Sequence, residues 1–206
     1  MLTLINPVPR AEPFDHGNWL FELKFDGFRA AADIVRGRLF SRNGDRLRRH
    51  EGVPDLLPKG HVFDGELVVL DDAGRPLFNE LLFWRGFSNA NSCRRLTYVA
   101  FDLLMTDGVD LRPLPLKERK AAMARVGKRA ESWIALTNGI VGDGRALYRA
   151  VVDADLEGIV AKRLADAYHP KRAKWHKVLN RTYSQRRDVT PSGGETSRQM
   201  DDTKAA

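Results

Sequence analysis

The chain has 206 residues, of which 43% are hydrophobic and 30% are charged. This length suits one domain with a real core, with or without a small appendage, and no apolar run reaches the roughly 18 residues that a membrane helix requires. The net charge of +7 favours a polyanionic partner such as nucleic acid, with an ordinary basic protein as an equal alternative. The single cysteine, Cys93, excludes an internal disulfide framework, and the start of the chain lacks the pattern of a secretory signal. A reducing cytoplasmic location is therefore expected.

The first half of the chain is patterned mainly for β-strands. A proline-containing, extended or irregular lead-in is predicted over residues 1–18. Strands are predicted over residues 19–25, as two short strands within 30–41 that turn near Gly37, and over 62–70 and 96–105, with a short helix over 78–85. Turn residues after Leu70 and Met105 mark the ends of two of these strands.

Helical spacing of apolar residues appears in the second half. It predicts helices over residues 116–126 and 144–154, followed by strands over 157–162 and 174–179. Strands and helices in this irregular order favour an α+β fold rather than a doubly wound parallel sheet. Residues 184–206 are rich in Ser, Thr, Gly and charge, so a disordered tail is expected after a folded part over 1–183.

The segment from Glu22 to Arg29 carries the sharpest chemical signal. Alternate residues of a strand face the same way, so Glu22, Lys24 and Asp26 are expected to share a face just before the turn at Gly27. One interpretation is a solvated strand face that ends in a glycine turn. The other is a lysine nucleophile, whose amine attacks only when deprotonated and therefore needs neighbouring cations or desolvation.

Six short motifs in a fixed order decide between these interpretations. Residues 24–29, Lys-Phe-Asp-Gly-Phe-Arg, resemble the K-x-D-G-x-R signature of covalent nucleotidyltransferases, which include ATP-dependent DNA ligases, RNA ligases and mRNA capping enzymes. Five further segments resemble the later motifs of DNA ligases: 41–44 (Ser-Arg-Asn-Gly), 63–67 (Phe-Asp-Gly-Glu-Leu), 98–104 (Tyr-Val-Ala-Phe-Asp-Leu-Leu), 157–162 (Glu-Gly-Ile-Val-Ala-Lys) and 175–179 (Trp-His-Lys-Val-Leu). The connecting segment 110–116 is similar to the ligase domain of bacterial end-joining ligases.

The resemblance implies a fold and a function. The fold would be the α+β nucleotidyltransferase core, or adenylation domain, with two antiparallel-rich sheets, flanking helices and ATP between the sheets. The function would be ATP-dependent ligation of DNA strand breaks in repair or recombination, through a covalent lysyl-AMP intermediate. The implied substrate partner is nicked or broken DNA, and the implied protein partners are end-joining proteins such as Ku.

Within that resemblance, a first group of residues would handle the nucleotide. Lys24 would attack the α-phosphorus of ATP, and Glu22 would accept a hydrogen bond from the adenine amino group. Phe101 would stack on the adenine, although a lone phenylalanine is usually plain core. Arg29 and Arg42 would contact the ribose, the phosphates or the DNA end, since guanidinium groups suit oxyanions.

A second group would handle metal and charge. Glu66 and Glu157 would help to hold Mg²⁺ or Mn²⁺, for which carboxylate oxygens are suitable ligands. Lys162 and Lys177 would neutralise the triphosphate, and Asp26 would orient the nucleophile. Taken singly, these acids and lysines would be assigned to the solvated surface, and only the ordered motifs favour the site. Lys24, Asp26 and Arg29 form the implied catalytic set.

Two departures from the family pattern keep alternatives open. The last motif normally ends in a second lysine, and Leu179 occupies that position. Complete ligases carry an OB-fold after this motif, whereas 27 residues follow Leu179. We therefore expect a reaction limited to adenylylation, or an OB-fold supplied in trans. The alternatives are a degenerate, non-catalytic DNA-binding paralogue, and an RNA ligase or capping-type nucleotidyltransferase.

Overall fold

The computed structural model describes residues 2–50, 52–82, 95–127 and 134–185. Cys93 and the segment 186–206, which holds most of the predicted tail, lie outside these described residues, as does the end of the helix predicted over 78–85. Within the described chain, none of the helices combines the length and the apolar character needed to cross a bilayer.

The described residues form eleven strands and three α-helices. In chain order these are β1 (Val8–Pro9), β2 (His16–Lys24), β3 (Phe28–Asp33), β4 (Arg38–Ser41), β5 (His61–Leu70), α1 (Phe78–Leu82), β6 (Arg95–Thr106), β7 (Val109–Asp110), α2 (Leu116–Gly127), β8 (Ile134–Leu136), β9 (Ile140–Gly142), α3 (Gly144–Asp153), β10 (Gly158–Arg163) and β11 (Trp175–Leu179).

The strands build two sheets. The first has the order β1-β11-β10-β2-β9, and the second has the order β4-β3-β5-β6-β7 with β8 added beside β6. Every pairing is antiparallel except β1 with β11 and β6 with β8. The expectation of an α+β fold with two antiparallel-rich sheets is confirmed.

Three apolar layers follow from the alternation of side chains along these strands. One face of the first sheet, which includes Phe21 and Ile159, packs against Val151 of α3. One face of the second sheet, with residues such as Phe63 and Leu67, packs against Met123 of α2 and is closed by α1. The remaining faces meet each other in a third cluster. Its members are Leu4, Ile5, Ala31, Val62, Leu104, Tyr168 and Trp175.

The predicted long strands and the two predicted helices are confirmed to within a few residues at their ends. The lead-in over residues 1–18, predicted as extended or irregular, is extended in two places where it joins the first sheet. His16–Asn18 belong to β2, and Val8–Pro9 pair in parallel with β11, far away in the chain. The strands β7, β8 and β9 were not predicted, because two or three residues carry no readable period.

Candidate active site

A cavity of about 150 Å³ opens where the two sheets meet. It is lined by every residue that the motifs assign to nucleotide binding, namely Glu22, Lys24, Arg29, Arg42, Glu66, Phe101, Lys162 and Lys177. These side chains come from both sheets and from the turn that follows β4. Residues that are up to about 150 positions apart in the sequence are therefore gathered around one space.

Strand register explains how the first sheet contributes its part. In adjacent antiparallel strands, side chains of directly opposed residues point to the same face. Val160 of β10 lies opposite both Glu22 of β2 and Lys177 of β11, so these three residues form one row across the sheet. The next row consists of Lys24, Gly158 and Leu179. The candidate nucleophile and the binding residues thus stand on neighbouring rows of one face.

Lys24 lies at the end of β2 and forms an ion pair with Glu157. Its Nζ is 2.6 Å from Glu157 Oε1, and the two side chains are 24% and 20% exposed. The next residue, Gly158, lets β10 pack closely against β11. A Cβ at this position would lie 2.3 Å from the backbone oxygen of Val178, and the φ of +154° also favours glycine. The glycine of the Glu-Gly motif therefore places the carboxylate beside the candidate nucleophile.

Glu22 is buried, and its carboxylate is surrounded by donors. Lys162 pairs with Oε2, Lys120 Nζ lies 2.5 Å from Oε1, and the Thr137 hydroxyl donates to Oε1. Burial by itself would raise the pKa of Glu22, but the charges of Lys162 and Lys120 outweigh it and hold the pKa below its usual value. Glu22 is thus an ionised acceptor on the cavity wall.

Arg29 is fixed by a bidentate pair with Asp64. Its Nε and Nη2 each lie 2.7 Å from a carboxylate oxygen of Asp64, and Nη2 also donates to the carbonyl of Ile5. Tyr168 donates to the same carboxylate at 2.6 Å. Burial would lower the pKa of Arg29, but the charge of Asp64 raises it instead, so the guanidinium stays charged. A fixed guanidinium can bind a phosphate or ribose oxygen without first losing conformational freedom.

The Phe101 ring, on β6, borders the cavity and is in contact with two cationic side chains. Arg29 Cζ lies 4.6 Å from its centroid, and Lys162 Nζ lies 4.4 Å away. Lys162 also lies 4.1 Å from the ring centroid of Trp175. Burial lowers the pKa of Lys162, and the nearby Lys120 adds to this, whereas Glu22 opposes it. The site therefore combines an apolar, base-sized wall with positive charge.

Glu66 and Glu157 both lie near Lys24, as a shared metal site requires. Burial raises the pKa of Glu66 to about 7, although the charges of Arg29 and Lys24 oppose the rise. No cluster of three or more His, Cys, Asp or Glu that could hold a metal occurs in the described part of the chain. Mg²⁺ is usually held by one or two carboxylates and completes its octahedron with substrate phosphates and water, so two glutamates fit that ion.

A second, more open cavity of about 420 Å³ adjoins the first. The two share Lys24, Arg29, Arg42 and Glu66, and Asp26 lines only the second. Because they share these residues and Phe25, we treat them as two parts of one cleft, whose first part alone is smaller than the ~300 Å³ at which drug-sized pockets begin. A nucleotide in the first cavity would therefore have its reactive end at the mouth of the second.

The sequence analysis missed several residues of this site. The cavity wall includes Val160 and Trp175, and the Glu22 carboxylate depends on Lys120 and Thr137. Val160 and Trp175 lie within motifs that were recognised, so their positions on a strand could have revealed them. Lys120 and Thr137 belong to no motif, and nothing in their local sequence connects them with Glu22.

An antiparallel two-sheet core with a lysine, acids and arginines around one cleft is the arrangement expected of a nucleotidyltransferase. The chain belongs to the ATP-dependent DNA ligase domain family, whose model matches residues 7–178. It is 35% identical over 187 residues to the multifunctional non-homologous end joining protein LigD of Pseudomonas aeruginosa, a match that covers 86% of this chain and 21% of that protein. It is 30% identical over 180 residues to the SPbeta prophage-derived DNA ligase-like protein LigB of Bacillus subtilis, covering 84% of this chain and 66% of that protein.

Solved structures give the same assignment. A mycobacterial DNA ligase D complexed with ATP and MES matches with a TM-score of 0.70 and 26% identity, over 86% of this chain and 60% of that one. The ligase domain of Mycobacterium tuberculosis LigD matches with a TM-score of 0.66 and 27% identity, over 84% of this chain and 58% of that one. The chain thus spans about a fifth of the Pseudomonas protein and well over half of the two solved ligase structures.

Proposed function

We propose that this chain adenylylates itself at Lys24 with ATP, as the first step of DNA ligation. The observation that supports the proposal most strongly is the single cavity that holds Lys24 together with the other residues assigned to the nucleotide. The family and its ATP dependence support the choice of nucleotide.

The first chemical step forms a bond between Lys24 Nζ and the α-phosphorus of ATP and breaks the bond from that phosphorus to the oxygen of the leaving pyrophosphate. Nζ must give up a proton, and Glu157 Oε1, at 2.6 Å, is an acceptor within hydrogen-bond distance. Lys162, Lys177 and Arg29 line the same cavity and offset the negative charge of the phosphates.

Glu66 and Glu157 are the residues that would hold Mg²⁺ or Mn²⁺. Such an ion supplies Lewis acidity to phosphate oxygens when it is bound. We propose that these two glutamates place their carboxylates beside Lys24. We propose that Asp26, on the wall of the second cavity, orients Lys24.

The later steps would transfer AMP to a 5′-phosphate of broken DNA and join that end to a 3′-hydroxyl, with release of AMP. The open second cavity, with Arg42, Ser41 and Asp26 on its wall, is the place that we propose for the DNA end. The similarity to an end-joining protein supports a DNA break as the substrate. Ku or an OB-fold supplied in trans are the partners that we propose.

Labelling with ATP radiolabelled at the α-phosphate tests the first step. Wild type should acquire acid-labile label, Lys24→Ala should acquire none, and Lys162→Ala should acquire it more slowly. Lys117→Ala, at an exposed lysine on α2, is the matched control and should label as wild type does. Label at another lysine, found by peptide mapping, would disprove the assignment of Lys24.

A non-catalytic DNA-binding function is the second candidate, and Leu179 is the observation that favours it. Leu179 is 41% exposed, and its row in the sheet is the row of Lys24. A chain that binds nicked DNA but never acquires label from ATP would support this candidate. Equal labelling from GTP would instead favour a capping-type enzyme.

A further inference from the structure

We infer that Lys120 of α2 is a positioning residue that fixes how the cavity discriminates purine bases, acting through Glu22 and Phe101. The inference rests on the proposed function, because it assumes that the occupant is a purine nucleotide. Lys120 belongs to none of the motifs and is not part of the cavity wall. Any effect that it has on the occupant must therefore pass through its neighbours.

The contacts of Lys120 are directed at the two groups that are candidates for contact with a base. Its Nζ lies 2.5 Å from Glu22 Oε1 and 3.5 Å from the carbonyl oxygen of Phe101. It also contacts both the carbonyl and, at 3.2 Å, the hydroxyl of Thr137. Its side chain is only 12% exposed, so these contacts are shielded from water. The ammonium group of Lys120 thus contacts both Glu22, the candidate partner of the adenine amino group, and the backbone of Phe101, the candidate for stacking on the base.

This arrangement makes the two oxygens of Glu22 unequal. Oε1 accepts from both Lys120 and Thr137, whereas Oε2 faces the charge of Lys162 and forms no hydrogen bond of good geometry. Oε2 is shielded from water and paired with Lys162, but a carboxylate oxygen has two lone pairs and Glu22 lines the cavity, so a small rotation of the carboxylate would let it accept from an amino group there. A base with an amino group at C6 satisfies it, whereas a base with a carbonyl there brings two acceptors together.

Removal of Lys120 would change the chemistry of that acceptor. Glu22 is 2% exposed, so with one cation fewer its charged form loses stabilisation that water cannot replace. A protonated carboxyl group can donate to the carbonyl of hypoxanthine, and a carboxylate that rotates away from Thr137 no longer holds its acceptor against the C6 amino group of adenine. The preference for adenine over hypoxanthine would therefore fall, even though Lys120 touches neither base.

The test measures binding of ATP and ITP in the presence of Mg²⁺ by equilibrium titration. It uses a Lys24→Met background, in which no phosphoramidate can form. ITP differs from ATP along one edge of the base, where a carbonyl replaces the amino group at C6 and N1 carries a hydrogen, so the ratio of the two dissociation constants reports how the protein recognises that edge. Adding Lys120→Met should reduce the preference for ATP about tenfold. Lys120→Arg should restore most of it, and the control Lys117→Met should leave it unchanged.

Thr137→Val provides a second test that leaves both lysines in place. It should reduce the ATP preference by a smaller factor than Lys120→Met, because only a neutral donor is lost. Equal weakening of ATP and ITP binding by Lys120→Met, or an unchanged ratio in both variants, would overturn the inference and leave Lys120 with a purely structural role. If Lys120→Met does not fold, as judged by circular dichroism, Thr137→Val decides the matter.

The outcome is separable from that of the proposed function. Failure of wild type to acquire label from ATP would overturn self-adenylylation, while the binding ratio in the Lys24→Met background would still decide the role of Lys120. Absence of binding by both nucleotides in that background would overturn the inference about Lys120, while the labelling of wild type would still decide self-adenylylation.

Discussion

Leu179 and Lys177 lie two residues apart on β11, so both side chains point to the same face of the first sheet, the face that borders the cleft. Lys177 lines the cavity, whereas Leu179 lies on the row of Gly158 and Lys24 and is 41% exposed. Since Gly158 has no side chain, nothing from β10 stands between Leu179 and Lys24 on that row. We therefore expect a longer, charged side chain at this position to reach the phosphates of a nucleotide bound beside Lys24.

Leu179→Lys should therefore accelerate self-labelling with ATP. An added charge-assisted hydrogen bond to a phosphate is worth about 1.5–3 kcal/mol, or roughly ten- to a hundredfold in rate if it acts in the transition state. The measurement is the initial rate of label incorporation at saturating ATP. Val109→Lys, at another exposed position, on β7, controls for the added charge and should not change the rate.

Glu157 combines two roles, since its carboxylate pairs with Lys24 and is one of two candidates for the metal. Labelling should stop when divalent cations are removed with EDTA and return with Mg²⁺ or Mn²⁺. In Glu157→Gln, the Mg²⁺ concentration for half-maximal labelling should rise about tenfold, because an amide oxygen is a weaker ligand than a carboxylate. Glu118→Gln, at an exposed position of α2, should leave that concentration unchanged. Labelling that persists without divalent cations would contradict the metal assignment.

At the scale of elements, α2 is attached to the second sheet by a buried ion pair. Arg119 Nε and Nη2 each lie 2.8 Å from Asp102 of β6, and both side chains are fully buried. Arg119 Nη1 also donates to the carbonyl oxygens of Leu114 and Asp166. The pair therefore fixes the helix that carries Lys120 against the strand that carries Phe101.

Arg119→Met should destabilise the fold by about 3–5 kcal/mol, because it leaves the Asp102 carboxylate buried without its partner. The free energy of unfolding in urea measures the effect. Arg112→Met is the matched control, since Arg112 pairs with Asp110 at 2.8 Å while about half exposed, and it should cost under about 1 kcal/mol. Equal costs for the two variants would contradict the structural role given to Arg119.

The elements that the sequence revealed are those with enough residues to show a period. β5 and β6 have ten and twelve residues, and α2 has twelve, so alternation or helical spacing was visible in each. β8 and β9 have three residues each and exist because a neighbouring strand offers its edge. Pairing of that kind is a property of the tertiary fold, and no local pattern reports it.

The same division applies to the candidate site. The residues assigned to the nucleotide were predictable because they lie in or beside family motifs, whereas Asn6 and Pro7 also line the cavity and lie in no motif. Lys120 and Thr137 were not predictable, because their contact with Glu22 spans 98 and 115 residues of chain and depends on how α2 crosses the second sheet. The roles assigned to the motif residues stay predictions until the variants are measured.

At the scale of the whole molecule, we assign the two cavities to two different requirements of ligation, which are forming lysyl-AMP and holding the DNA ends. Forming lysyl-AMP would need Lys24, a metal and positive charge around the triphosphate, and the first cavity is lined by Lys24, Glu66, Arg29, Lys162 and Lys177. Sealing a nick further requires that a DNA duplex be held with its ends at the second cavity, which is open and whose wall includes Arg29 and Arg42. The net charge of +7 supplies general attraction to phosphates, which weakens as salt rises.

We therefore expect the 206-residue chain, tested alone, to label itself with ATP but to seal nicked DNA very poorly. The solved ligase structures that it matches are longer, and this chain covers 60% and 58% of them. An OB-fold added in trans should accelerate the joining of a nicked, labelled duplex more than it accelerates self-labelling, because the open second cavity gains most from a clamp on the DNA. Both rates are measured in one reaction, by following label on the protein and the length of the DNA strand on denaturing gels. Fast, multiple-turnover sealing by the chain alone would show that its own surface holds the duplex and would contradict this division of labour.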